Sequence, residues 1–253
     1  MDIHKPKPWH GLREFLKEYL IIVIGVLTAL AAEQGVEWLR WQEKLVWAEE
    51  ALKRDQSLLA DVASERVAVG HCLSDRLDQL KARAEDDRLR ASPLPADAEG
   101  VQMGFAYSAP SRAWNTRVWD QMMADGTVQH MDRERARALS LLYLTVQSAN
   151  VGNHEEKNEA TDLRVLADGK LSLSPDKKVE LVQHIDRLTM LNSELVSLSR
   201  QILRRLQDNG YLPPLAETTA RLSTSSGFHP MSCRYAAEDL KARVAQSWFS
   251  LHR

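Results

Sequence analysis

The sequence has 253 residues, enough for one large domain or two small ones, with 44% hydrophobic and 27% charged residues, as in packed globular proteins. Eleven glycines and nine prolines are few for this length, which favours helices over sheets. A net charge of -2 provides no field that would attract nucleic acid, so we expect no nucleic-acid partner.

An uncharged apolar run, YLIIVIGVLTALAA, occupies residues 19–32. At 1.5 Å per residue it covers roughly 21 Å, less than the ~30 Å hydrocarbon core of a bilayer. Apolar flanks extend it, and Tyr19 on one side and Trp38 and Trp41 on the other are typical of interfacial aromatic belts. The run therefore predicts a transmembrane anchor over residues 19–41.

Two other interpretations of this run stay open. A cleavable signal peptide is one, because Ala29-Leu30-Ala31 fits the A-x-A cleavage motif. Against it, Glu14 and Glu18 lie in the leader, and the helical pattern continues past Glu33. A buried helix of a soluble protein is the other, although a run that is apolar on every side fits poorly on an amphipathic helix.

Basic residues are concentrated before the apolar run. Four precede it and two follow closely: Lys5, Lys7, Arg13 and Lys17, then Arg40 and Lys44. The positive-inside rule places the N-terminus in the cytoplasm and the main domain outside it. We therefore predict a cytoplasmic amphipathic segment at 1–18, an anchor at 19–41 and a helical extracytoplasmic domain at 42–253.

Three long helices are predicted after the anchor. Residues 36–90 contain no proline, and apolar residues recur every seven positions with Arg66 interrupting the pattern. Asp132 is a suitable N-cap for a helix at 133–167, whose polar stretch at 153–162 is expected either to fray or to face water.

The third long helix, at 175–208, begins with Ser174 as N-cap and Pro175 at its first position. Its apolar seam alternates by four and three residues, and Asn192 and Ser199 lie in that seam. We expect the seam to pack inside the chain. We also expect Asn192→Leu to raise stability, because an apolar seam packs more favourably.

Shorter elements complete an all-α fold. Residues 91–110 and 213–230 are rich in loop-forming residues, a short Trp-rich helix is predicted at 111–125, and a C-terminal helix at 235–250. Short connections favour antiparallel neighbours. The prediction is a transmembrane helix that continues into an antiparallel bundle of three long helices, with the Trp-rich and C-terminal helices beside it.

Two stretches of the sequence resemble a known family. They are REFLKEYLIIVIGVLTALAAEQ at 13–34 and PSRAWNTRVWDQMMADGTVQHMDRERA at 110–136. With the charged helix after the first, they span about half the chain and resemble an uncharacterised family of bacterial single-pass inner-membrane proteins. The resemblance implies an N-terminal anchor and a helical periplasmic domain, and it implies no particular chemistry.

No catalytic constellation is indicated. His154-Glu155-Glu156 begins like a zinc-protease motif, but Asn158 stands where the second histidine is required. Ser174 and Lys177 match the S-x-x-K pattern of certain serine nucleophiles, but a role in helix capping explains the serine. We therefore expect no enzymatic activity, no cofactor and no metal site.

Arg112, Trp114, Arg117 and Trp119 form the most suggestive cluster. One interpretation is that they line a pocket for an anionic or aromatic ligand. The other is that the tryptophans pack the end of the bundle and the arginines are solvated. The second is favoured, because aromatic residues at helical spacing usually serve packing.

The two cysteines, Cys72 and Cys233, form a disulfide only if the domain lies in an oxidising compartment and their Cα atoms come within about 4.4–6.8 Å. The sequence leaves this pairing open.

The favoured function is that of a membrane-anchored structural or interaction protein of the bacterial cell envelope. Its partners would be the lipid bilayer and either another envelope protein or a second copy, through the small anchor residues Gly25, Ala29 and Ala32. The alternatives are a ligand-binding sensory module that uses the Trp114–Trp119 region and acts through a partner, and a membrane-associated enzyme without a recognisable motif.

Overall fold

In the computed structural model, the described residues are 11–85, 106–110, 112–167, 173–224, 233 and 237–249. Within these ranges every regular element is helical, so the predicted all-α class is confirmed. Parts of six predicted segments lie outside the described residues. They are 1–10 of the amphipathic segment, 86–90 of the first long helix, 91–105 of the first loop, 111 of the Trp-rich helix, 225–230 of the second loop, and 235, 236 and 250 of the C-terminal helix.

The described α-helices are α1 (Leu12–Glu85), α2 (Arg117–Ala124), α3 (Arg133–Asp162), α4 (Pro175–Asp208), α5 (Leu215–Thr224) and α6 (Ala237–Phe249). Two 3-10 turns, Thr127–His130 and Leu163–Ala167, follow α2 and α3 respectively. The chain divides into two units, residues 1–48 and 49–253.

Capping residues set the starts of α3 and α4. The carboxylate of Asp132 accepts hydrogen bonds from the backbone N–H groups of the first turn of α3. Ser174 Oγ accepts from the backbone N–H of Lys177, and Pro175 opens α4 as the sequence predicts. Gly210 follows α4 at φ +70°, a left-handed conformation that favours glycine.

The first unit contains the apolar part of α1. Its most apolar window is wholly unburied, and large side chains such as Ile21 and Ile22 are exposed. Among the described residues, α1 is the one helix long and apolar enough to cross a membrane by length and composition. A signal sequence passes the same test.

The core of the second unit lies between α1, α3 and α4. The heptad positions Leu52, Leu59, Leu73 and Leu80 are buried there. Side-chain contacts pair residue 55 with 143 and residue 66 with 156, so α1 and α3 run parallel. Contacts of 81 with 186 and of 70 with 192 show that α4 is antiparallel to α1, and therefore also to α3.

Helix α5 falls inside the segment predicted to be a loop. Its composition, LAETTARLST, is rich in Thr, which favours turns and strands over helices. Leu222 and Thr218 are nonetheless fully buried, and Leu222 packs in one cluster with Ala68 and Val244. Tertiary burial therefore outweighs local propensity in α5.

Candidate functional site

A run of polar side chains is buried on the middle of α1. Each is at most 3% exposed: Asp55, Gln56, Asp61, Ser64, Glu65 and Arg66. Buried ionisable groups are costly unless they are paired, so the partners of these side chains define the candidate site.

Arg66 and Glu156 form the centre of this polar layer. The guanidinium binds the carboxylate with two hydrogen bonds, Nη1 to Oε2 at 2.6 Å and Nη2 to Oε1 at 2.7 Å. Tyr107 donates its hydroxyl to Glu156 Oε1 at 2.7 Å. This two-pronged geometry fixes α1 against α3 at one register.

Asn192 attaches α4 to the same layer. Its Oδ1 accepts from Arg66 Nη2 at 2.9 Å, and its Nδ2 donates to the carbonyl of Gly70 and to Ser74 Oγ, both at 3.0 Å. Asn192 is 1% exposed, so the seam around it packs inside the chain. The structure argues against the expectation that a leucine would be better here, because the amide bonds to two buried groups, the Arg66 guanidinium and the Gly70 carbonyl, and to the half-buried Ser74 hydroxyl.

The electrostatics of the layer follow from burial and pairing. Burial alone would lower the pKa of Arg66, but the adjacent Glu156 carboxylate outweighs it and the pKa is raised. Burial, reinforced by Glu156, raises the pKa of Tyr107 well above its usual value. Arg66 therefore stays charged and Tyr107 stays protonated throughout the physiological range.

A second group links α1 to α3 about three helical turns nearer residue 49. Tyr143 donates its hydroxyl to Asp55 Oδ2 at 2.5 Å, and Asn115 donates to Oδ1 at 2.9 Å. Burial raises the pKa of Asp55 even though both hydrogen bonds lower it. Trp119 stacks on Tyr143, with ring centroids 5.3 Å apart.

Three contacts attach the C-terminal segments to α1. Arg221 of α5 binds Asp61 through two hydrogen bonds of 2.7 and 2.9 Å. Trp248 of α6 donates its indole N–H to Ser64 Oγ at 3.0 Å. Cys72 and Cys233 are joined by a disulfide with their Cα atoms 5.9 Å apart, within the range such a bond requires.

Glu65 is the least well compensated carboxylate of the layer. Its side chain is 1% exposed, and Arg112 Nε lies 3.2 Å from Oε2. Neither carboxylate oxygen accepts a hydrogen bond from the described residues. Burial raises the pKa of Glu65 to about 8, although Arg112 and Arg66 lower it in part.

The four residues of the predicted pocket lie in different surroundings. Trp114 is buried, and Trp119 packs on Tyr143. Arg112 reaches Glu65, whereas Arg117 is exposed at the start of α2. The two tryptophans therefore serve packing.

Sequence reasoning missed the role of the polar second half of α3. Asn153 and Glu156 were expected to face water, but both are buried, while His154 and Glu155 between them are exposed. The available signal was the charge of Arg66 in an otherwise apolar seam, because a buried arginine requires a buried acceptor on a neighbouring helix.

Glu159, Asp162 and His184 bring three potential metal ligands together near the end of α3. Glu159 Oε2 lies 2.6 Å from His184 Nδ1, and Arg187 donates to Glu159 Oε1 at 2.5 Å. Burial would raise the pKa of Glu159, but these two hydrogen bonds hold it below its usual value. The Arg187 guanidinium therefore already provides a cation to this cluster.

Comparison with known proteins adds no assignment. No protein-family model matches the sequence, no curated protein matches it, and no solved structure matches the fold.

Proposed function

We propose that this chain is a single-pass protein of the bacterial inner membrane with a structural or interaction role. Residues 19–41 form the anchor, residues 1–18 lie in the cytoplasm and the helical domain lies in the periplasm. The resemblance of residues 13–34 and 110–136 to a family of such proteins supports the same arrangement.

The observation that carries the proposal is the exposed apolar surface of α1 between residues 19 and 32. Its side chains face outward in every direction, and none of the most apolar window is buried. A core helix of a soluble protein would bury this surface. An uncovered apolar surface of this kind fits the interior of a bilayer.

Two further observations support the periplasmic side. Four basic residues precede the apolar run and two follow it closely, which favours a cytoplasmic N-terminus. The disulfide between Cys72 and Cys233 fits an oxidising compartment, because thiols remain reduced in the cytosol.

A structural role is supported by the use the domain makes of its buried ionisable groups. Arg66 binds both Glu156 and Asn192 and so joins three helices, and Asp61 binds Arg221 of a fourth. Such groups set helix register. Close approach of two anchors at Gly25, where an added Cβ would meet no atom within 4 Å, offers one route to self-association.

Reporter fusions after Arg253 test the orientation. An alkaline phosphatase reporter, which is active only outside the cytoplasm, should be active, and a fluorescent protein that matures only inside it should be dark. In a matched variant with Lys5, Lys7, Arg13 and Lys17 changed to Gln, the two signals should become mixed. Fluorescence without phosphatase activity in the unmodified chain would contradict the proposal.

Co-purification from detergent-solubilised membranes tests the interaction role. We expect the full chain to retain a stoichiometric protein partner, or a second copy of itself. Chains that elute as free monomers at every detergent concentration would argue against a role in assembly.

A further inference from the structure

The end of α3 and the first half of α4 bring metal-binding side chains together. Glu159 and Asp162 lie three residues apart, on one face of α3. His184 comes from α4, and each of these three residues offers one ligand atom within 4.8 Å of the other two. Facing helices of a bundle build metal sites from side chains at such spacings. We refer to Glu159, Asp162 and His184 as the α3–α4 triad.

The donor atoms of the α3–α4 triad are spaced much as they are around a tetrahedral zinc ion. With zinc–ligand bonds of about 2.0–2.1 Å, neighbouring donor atoms lie roughly 3.3–3.4 Å apart. His184 Nδ1 lies 2.6 Å from Glu159 Oε2 and 3.8 Å from Asp162 Oδ2. The first distance must lengthen and the second must shorten, each by less than about 1 Å, which small side-chain rotations supply.

Two neighbouring side chains orient the triad for this task. Arg187 donates to Glu159 Oε1, which leaves Oε2, the oxygen beside His184, to bind a metal. Glu180 Oε1 lies 3.8 Å from His184 Nε2, on the other edge of the ring. A carboxylate there favours the ring proton on Nε2 and leaves Nδ1 as the metal ligand, because histidine ligands usually donate their second nitrogen to a carboxylate.

The triad also carries an excess of negative charge. Its two carboxylates are opposed by Arg187, which contacts Glu159 and is 62% exposed, so water screens its repulsion of a second cation. Asp162 is 54% exposed and, within the described part of the chain, pairs with neither lysine nor arginine. One negative charge therefore remains uncompensated on the side of the triad that solvent reaches.

We propose that Glu159, Asp162 and His184 bind one Zn²⁺ ion, with a water molecule as the fourth ligand. An imidazole nitrogen beside carboxylate oxygens suits zinc, whereas Mg²⁺ prefers oxygen ligands. The ion links α3 to α4 and so stabilises the folded domain. Its ligands come from two helices, which explains why no local motif of the sequence indicates the site. No residue of the anchor takes part, so the site is independent of the membrane topology proposed above.

Calorimetric titration of Zn²⁺ into the full-length protein in detergent, without an affinity tag, tests the site. We expect one zinc ion to bind in a manner that depends on the triad. His184→Ala should weaken binding about a hundredfold or more, and Asp162→Asn about tenfold or more, because loss of a ligand costs at least as much as loss of a residue that orients one. Asp162 is exposed, so Asp162→Asn remains informative even where His184→Ala does not fold.

His71→Ala is the matched control. His71 is 80% exposed and contacts one carboxylate, that of Asp75 at 3.0 Å, so it lacks the further ligands that a zinc site needs. This variant should bind zinc as the unmodified chain does. Mg²⁺ in hundredfold excess should leave the zinc titration unchanged.

Thermal unfolding provides a second readout of the same site. Zinc should raise the Tm of the unmodified chain and of His71→Ala, because a ligand that binds the folded state stabilises it. The Tm of Asp162→Asn should rise much less. A chain that binds no zinc would overturn the proposal, as would zinc binding that survives both triad substitutions, is lost in His71→Ala, or is displaced by Mg²⁺.

Discussion

Arg66→Met is the perturbation that most directly tests the polar layer between α1, α3 and α4. Methionine preserves much of the length and volume of the side chain. It removes both hydrogen bonds to Glu156 and the one to Asn192, so the buried carboxylate retains only the Tyr107 hydroxyl.

The magnitude follows from the charge that is left behind. Removal of one partner of a buried ion pair costs about 3–5 kcal/mol, because the remaining charge is desolvated without compensation. Replacing both partners by apolar residues of similar volume is often close to neutral. The combined variant Arg66→Met/Glu156→Met/Tyr107→Phe should therefore be less destabilised than Arg66→Met alone. Tyr107→Phe is included because the tyrosine hydroxyl would otherwise lose its acceptor.

Urea unfolding of the full-length protein in detergent, followed by far-UV circular dichroism, measures these differences. Arg54→Met is the matched control, because Arg54 is an exposed arginine on the same helix and should change the free energy of unfolding by less than about 0.5 kcal/mol. If Arg66→Met resembled Arg54→Met, or if the combined variant were less stable than Arg66→Met, the reasoning would be refuted.

Three further predictions concern single positions. Asn192→Leu should lower the free energy of unfolding by about 1–3 kcal/mol in the same assay, because it removes the amide's hydrogen bonds to the buried Arg66 guanidinium and to the Gly70 carbonyl; a stabilised variant would contradict this. Glu65 keeps its proton to about pH 8 in the folded chain but ionises near its ordinary value when unfolded. Stability should therefore fall as pH rises between these values, and Glu65→Gln should flatten that slope; equal slopes would count against the burial argument. Reduction of the Cys72–Cys233 disulfide should change gel mobility and cost about 2–4 kcal/mol of stability, whereas identical free-thiol counts before and after reduction would show that no bond was present.

Local signals in the sequence were sufficient for the starts of α3 and α4, whereas the helix predicted at 111–125 begins only at Arg117. Asp132 and Ser174 cap α3 and α4 as predicted, because the capping hydrogen bond depends only on residues within one turn. The buried heptad of α1 and the inward position of Asn192 also follow from periodicity. The all-α class results from these same signals.

Long-range contacts account for what the sequence did not predict. The neighbours of Glu156 in the sequence form a polar stretch, which predicts a solvated position. Glu156 is a core residue because it pairs with Arg66, ninety residues earlier. Helix α5 forms although its composition is weakly helical, because Leu222 packs against other segments. Arg112 was expected to line a pocket or to be solvated, and its contact with the buried Glu65 was not predicted. Each case depends on a partner distant in sequence.

The intact mass of the protein in alkaline-washed membranes tests the central claim of an uncleaved anchor most directly. We predict that the chain expressed from this sequence stays in the membrane fraction until detergent is added, with a mass of 28.7 kDa. Recovery of a chain that has lost residues 1–31, or of the full-length chain in the alkaline wash, would contradict the account.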